Sequence, residues 1–224
     1  MPNLDIYCFS MKYFNLLDKL PSYIKPFGLG NNNYPEKWLT EQKGENILNL
    51  NKYYGEATGV YWIWKNKLKD TDENDWVGTC HYRRLWLNNL YKEKQKFSIN
   101  SLYDNLLRSD NNIFLECTAI QVQPIILKNE TVFQQFNKVH KENILEKCIN
   151  FLELNEREKF RKYLNGNELC ITIFITKARL FKKFCESLFP WLEKCLDYCM
   201  KNNLCKDYNT RLPAFLMERY TSYW

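Results

Sequence analysis

GENILNLNKYYGEATGVYWIWKNKLKDTDENDWVGTCHYRR, running from Gly44 to Arg84, is the stretch on which the fold turns. It carries three of the seven tryptophans, one of the two histidines and a paired arginine. A short polar loop comes first, Lys43-Gly44-Glu45-Asn46. Then Leu50, Tyr54, Ala57, Tyr61, Trp64 and Leu68 recur at the three-and-four spacing of one helical face. Asn51 stands where an N-cap belongs, because its short side-chain oxygen can accept from a first-turn amide. Asp70 to Asp75 is an acidic turn. The apolar run Trp76-Val77-Gly78-Thr79-Cys80 follows as a strand and stops at His81-Tyr82-Arg83-Arg84. Ligands of α/β proteins sit beyond the carboxyl ends of strands, so a strand ending in cations points to an anionic ligand.

Outward from this stretch, strands and helices alternate. Leu4 to Phe9 reads as a buried first strand, and a polar-aromatic helix or loop follows to Leu20. Pro21 to Pro35, with two glycines, three successive asparagines and three prolines in all, reads as loop. Ser98 to Arg108 is expected to be helical, Ile113-Phe114-Leu115 a short buried strand, and Ala119 to Val122 another strand. Thr131 to Leu152 reads as one or two helices and Glu156 to Leu164 as one more, broken by Asn165-Gly166-Asn167. Leu169 to Thr176 is the richest β stretch and is expected to be a central strand. Lys177 to Asn202 is periodic as a helix that Pro190 should kink or restart. A last helix runs from about Thr210. Alternation of this kind predicts one α/β domain over residues 1–224, with a mixed, mainly parallel sheet flanked by helices.

Composition narrows the class. A chain of 224 residues with 45% apolar residues supplies one ordinary core. The net charge of +6 suits an anionic ligand or an anionic membrane surface. Its basic residues are interspersed with acids, as on solvated helix faces, and do not form the dense patch of a nucleic-acid binder. Nine cysteines without a short regular framework or a signal peptide read as reduced thiols in a cytosolic protein. Cys195 and Cys199, one helical turn apart in an apolar stripe, read as core packing. No apolar run approaches the about 18 residues of a membrane-spanning helix, so any membrane contact is expected to be peripheral.

At these residues the chain resembles a bacterial capsular-polysaccharide and exopolysaccharide glycosyltransferase-like family. The family pattern G-D-N-I, then N-P-Y-x-C-E-L-T-x-L-Y-W-x-W-K-N, then Y-I-G-L-x-H-Y-R-R is matched by Gly44-Glu45-Asn46-Ile47, by Asn51 to Asn66, and by Trp76 to Arg84. Weaker likenesses are Tyr23-Ile24-Lys25-Pro26-Phe27-Gly28, Phe174-Ile175 with Phe181 and Trp191, and Arg211 with Phe215-Leu216-Met217-Glu218-Arg219. Departures include Glu45 for Asp, Gly55 for Cys, and Thr172-Ile173 for Asn-Met. The resemblance implies a GT-A-like fold and transfer of a sugar from a nucleotide-sugar donor to a surface glycan or lipid-linked glycan, in the cytoplasm and at the inner membrane face. A non-catalytic glycan- or nucleotide-binding domain on the same scaffold is the alternative.

Such a reaction must neutralise a departing diphosphate and, where the anomeric centre inverts, take a proton from the acceptor. Many GT-A enzymes use an Asp-x-Asp motif and a metal at a strand end; here His81-Tyr82-Arg83-Arg84 stands in that place. Arg83 and Arg84 either grip the diphosphate, whose oxygens fit a guanidinium fork, or pair with acids to anchor the strand. His81 either contacts the donor or packs beneath the site. Lys65 and Asn66 at the helix end, and Gly44 and Asn46 in the loop, are the other candidate donor contacts. Glu218 is the first candidate base, against an ion pair with Arg211 or Arg219; Glu56 and Asp75 stand behind it, Glu56 on the far side of the helix from Tyr54 and Tyr61. No cofactor is required on this reading, with manganese or magnesium left open.

Overall fold

The computed structural model describes residues 2–88 and 99–224. The first strand, β1 (Leu4–Ser10), is followed by a 3-10 turn at Asn15–Lys19 and then by β2 (Ile24–Gly28), where a loop was expected. Pro26 is accommodated because the next strand, β3 (Leu39–Thr40), pairs only with Phe27 and Gly28. At Pro26 itself β2 is an edge, where a missing N–H costs nothing. The helix expected as one unit is two, α1 (Asn51–Tyr54) and α2 (Ala57–Asn66), separated by Gly55 at φ 53°. Strand β4 (Trp76–His81) follows the acidic turn, as read. Within that turn Asp75 accepts from the Asn3 backbone (2.7 Å) and side chain (3.2 Å), a structural tie.

Helix α3 (Ile99–Asn105) lies within the expected span, whose first residue, Ser98, is outside the described residues. Ile113 to Leu115 is a correction: it forms a helical turn, α4 (Ile113–Glu116), in which Phe114 is buried against the Trp76 ring at 4.8 Å while Leu115 stays 85% exposed. A strand buried on both faces would have hidden both. Then come β5 (Ala119–Gln121), β6 (Ile125–Ile126), α5 (Val132–His140), α6 (Ile144–Ile149) and α7 (Leu154–Leu164). The expected central strand is divided into β7 (Glu168–Leu169), which pairs with β6, and β8 (Phe174–Lys177). Residues 170–173 leave the sheet between them. Helix α8 (Ala178–Lys201) runs unbroken through Pro190, which lies on its exposed side, so the expected restart does not occur. Helix α9 (Leu212–Tyr223) closes the chain.

The main sheet has the order β3-β2-β1-β4-β8-β5. Pairs β2–β3, β1–β2 and β1–β4 are parallel, and β8 is antiparallel to both β4 and β5. It is the mixed, mainly parallel sheet flanked by helices that the alternation predicts, though β8 sits one place from its edge. Successive side chains of β1 point to opposite faces: Leu4, Ile6 and Cys8 enter one apolar cluster with Trp38, Trp76 and Phe114, while Tyr7 and Phe9 enter the other beneath α2 and α8. Both faces are therefore covered, which suits a parallel sheet. Helix α2 lies so close to the sheet that a Cβ on Gly59 would come within 2.6 Å of the Phe9 ring. Its Trp64 stacks on Phe189 of α8, 5.6 Å between centroids. Cys148, Cys195 and Cys199 are buried in this second cluster, as core packing predicts.

Candidate functional site

Parallel pairing brings the carboxyl ends of β1 and β4 side by side, with Phe9 opposite His81. Beyond them opens a cleft of 690 Å³. Its walls come from six places in the chain. Met11 and Leu29 follow β1 and β2; Asn51, Lys52, Gly55 and Glu56 come from the break between α1 and α2; His81, Tyr82, Arg83 and Arg84 from the end of β4. Ile171, Thr172 and Ile173 come from the segment that leaves the sheet before β8, and Arg211 from the 3-10 turn Asp207–Arg211 ahead of α9. Four cations, Lys52, Arg83, Arg84 and Arg211, share this space with one carboxylate, Glu56, among the described residues.

The β4 end is a tight turn. The His81 amide donates to the Arg84 carbonyl at 3.1 Å and the Arg84 amide to the His81 carbonyl at 2.8 Å. The Tyr82 amide donates to the Phe9 carbonyl (3.1 Å), fastening the turn to β1. The Arg83 guanidinium lies over the Tyr82 ring at 5.1 Å, a cation–π contact that steadies it. Arg83, Arg84 and Arg211 are exposed, and none forms an ion pair with an acid among the described residues. The anchoring alternative for Arg83 and Arg84 therefore finds no partner there.

The floor is electrostatically strained. Burial pushes the Glu56 carboxyl up to about 7, against the opposing pull of Arg211 and Arg84, with Glu218 adding repulsion. Its Oε2 stands 3.8 Å from His81 Nε2. His81 is held below the usual imidazole range by burial and then by Arg83, Arg84 and Arg211. Both shifts disfavour the charged forms, so the contact is weaker than a full ion pair.

Behind the floor, Asn51 does not cap a helix. It donates from Nδ2 to Glu41 Oε1 (3.1 Å), to the Gly55 carbonyl (3.2 Å) and to Thr58 Oγ1 (2.9 Å), pinning the break. Glu41, fully buried, also accepts from the Gly30 amide at 2.5 Å. Its carboxyl is raised by burial, with Thr58, Gly30 and Asn51 opposing.

Of the predicted site residues, the structure gathers His81, Arg83 and Arg84 on the cleft. Glu218 is beside it: it is ion-paired with Arg219 at 2.5 Å, and its carboxyl is raised mainly by burial, with Arg219, Arg84 and Arg211 opposing. Arg219, 2% exposed, also donates to Gln135 Oε1 (2.5 Å) and the Phe215 carbonyl (3.2 Å). Gly44, Asn46, Lys65 and Asn66 lie at the other end of α2 and do not line the cleft. There Asn66 Oδ1 accepts from the Glu45 amide (3.0 Å), and its Nδ2 donates to the carbonyls of Glu45 (2.8 Å) and Trp62 (2.9 Å). Asn46 Nδ2 donates to the Gly44 carbonyl (2.8 Å), and Lys65 Nζ is 3.5 Å from Glu45 Oε1. Arg211 and Lys52 were not singled out as site residues, and Glu56 was placed away from the helical face that matters. Gly55 was the available signal: a glycine inside a helical pattern breaks the phase that put Glu56 on the far side.

Among the described residues, no group of three or more His, Cys, Asp or Glu side chains is placed to hold a metal ion, and no helix is long and apolar enough to cross a membrane. In overall fold the chain is similar to the apo structure of the bifunctional glycosyltransferase WbbM, with a TM-score of 0.73 at 19% identity. The likeness covers 99% of this chain and 42% of that one, so the chain spans less than half of the protein it resembles. Among curated proteins none matches the chain. A sequence family matches residues 5–224, nearly the whole length, and the chain belongs to that family, described as Domain of unknown function (DUF4422).

Proposed function

We propose that this chain, taken as one domain over residues 1–224, is a glycosyltransferase that moves a sugar from a nucleotide-sugar donor to a bacterial surface glycan, free or lipid-linked. The observation that carries the reading is the convergence of Arg83, Arg84 and Arg211, unpaired among the described residues, at the carboxyl ends of β1 and β4. Guanidinium groups match diphosphate oxygens as two-point donors, and their charge stabilises the leaving group as it departs. One carboxylate among four cations is a poor donor set for a divalent metal, which takes mostly oxygen ligands of negative charge. The arginines do that work directly on this reading. His81, neutral and half-buried, contacts the donor beside them. Placement in the cytoplasm at the inner membrane face is part of the proposal, supported by the net charge of +6.

The test is release of free nucleotide from UDP-, GDP-, CMP- and dTDP-sugars, with manganese and with chelator, beside Arg84→Ala and Arg211→Ala proteins. The expected result is release from one donor that survives chelator. Each arginine variant should weaken donor binding by about 10- to 100-fold, the loss of a charge-assisted hydrogen bond. Release that needs metal sinks the arginine clamp. Donor binding without release from any sugar replaces the enzyme with a binding domain.

A further inference from the structure

A sugar transfer of the kind proposed needs a proton acceptor as well as a diphosphate clamp. Glu56 reaches the cleft by a backbone device. Gly55, at φ 53° and ψ −128°, ends α1 and swings the chain so that Glu56 stands ahead of α2 and not on its solvent face. The Glu56 side chain caps no amide of α2. It points instead toward His81, 3.8 Å away, in the same space as the arginines. Glu218, the other acid near these arginines, is taken up by Arg219 at 2.5 Å and does not line the cleft.

We infer that Glu56 is the catalytic base of this cleft and accepts the proton of the attacking hydroxyl. The inference rests on the glycosyl-transfer reading. In the step, a lone pair of the acceptor oxygen forms the bond to the donor's anomeric carbon. The bond from that carbon to the diphosphate oxygen breaks, and its electron pair leaves with the nucleotide toward the arginines. The acceptor's proton passes to the Glu56 carboxylate and from there to solvent. A single displacement of this kind inverts the anomeric centre.

The surroundings set the working range. Glu56 is faced by His81, Arg83 and Arg84 from the end of β4, by Arg211 from the turn before α9, by Glu218 from α9 and by Lys52 from α1. Burial outweighs the arginines and holds the carboxyl at about 7, where a base is both available and strong enough to act. The active form is the ionised one. Turnover therefore climbs as pH rises through about 7 and levels off above it.

The experiment compares wild type with Glu56→Gln and His81→Asn, measuring nucleotide release from the UDP-, GDP-, CMP- and dTDP-sugar panel between pH 5 and 9, with water as acceptor. Binding of UDP and GDP is measured alongside. Glu56→Gln should lower kcat by about 10²- to 10⁴-fold, keep nucleotide affinity within about threefold, and abolish the acid limb. Carboxyl-¹³C glutamate labelling needs no turnover and should show one resonance titrating near 7 that is missing in Glu56→Gln. Wild-type release with a Glu56→Gln protein that keeps its rate and acid limb overturns the role of Glu56 while the transferase stands. Loss of the limb in His81→Asn alone transfers the role to His81. No release by wild type from any donor overturns the transferase reading and this role with it.

Discussion

At Gly55 two demands meet in one residue. Its φ of 53° with ψ of −128° lies where side chains other than hydrogen are strained. A Cβ there would also stand 2.5 Å from Nη2 of Arg211. The guanidinium, at the end of a flexible chain, can retreat from a methyl group; the backbone cannot relax as readily. Gly55→Ala should therefore cost about 1–3 kcal/mol of stability and also loosen Arg211 from the cleft. A urea midpoint and UDP affinity measured on the same protein check both parts. Unchanged stability would remove the turn from the explanation of why Glu56 faces the arginines. The same residue shows why the site was half legible. Helical phase, counted without a break, sends Glu56 to the far side; one residue of left-handed backbone brings it into the cleft. Arg83 and Arg84 needed no such detail, because they sit in the tight turn that directly follows β4.

Among the elements, α2 is held at both ends by different chemistry. Its amino end is tied back to α1, where the Asn51 side chain donates to Thr58 Oγ1 at 2.9 Å. Its carboxyl end is clasped to the loop at Glu45 by Asn66, and the Trp62 indole donates to the Lys43 carbonyl at 2.5 Å. This clasp gives Gly44, Asn46, Lys65 and Asn66 a structural task about one helix length from the arginines. Asn66→Ala removes three hydrogen bonds and should lower stability by about 1–2 kcal/mol, each bond being worth about 0.5–1.5 kcal/mol net and part of the clasp being exposed. Donor-nucleotide affinity should stay within about twofold. Thermal unfolding with nucleotide titration separates the two, and a large loss of affinity at intact stability would return the loop to the donor. Elsewhere, local patterns were overruled by partners. Pro26 reads as loop and Leu169 to Thr176 as one strand, because composition does not reveal how short β3 is or where β8 must pair. Leu115, exposed on α4, shows the limit of reading three apolar residues as a strand.

Across the whole molecule, a mixed, mainly parallel sheet with helices flanking it follows from strand–helix alternation, and that much was readable from the chain, whereas the order of its strands was not. Nor was the cleft, since Arg211 and Thr172 are far from Arg84 in sequence and meet it only through α9 and the departure of residues 170–173 from the sheet. The net charge of +6 invites a different account, in which a general positive field draws any anion to the protein. Screening argues against it. At physiological salt the Debye length is about 8 Å, so exposed lysines outside the cleft contribute little at the arginines. Lys182 and Lys183, exposed on α8 and absent from the cleft lining, make the test. Changing both to glutamate takes the net charge from +6 to +2. UDP affinity at about 0.15 M salt should then move by less than about twofold, whereas Arg84→Ala, which removes a single charge, should lower it by about tenfold or more. Equal losses in the two proteins would mean that the molecule attracts nucleotides by its overall field, and that the three arginines at the ends of β1 and β4 form no specific clamp.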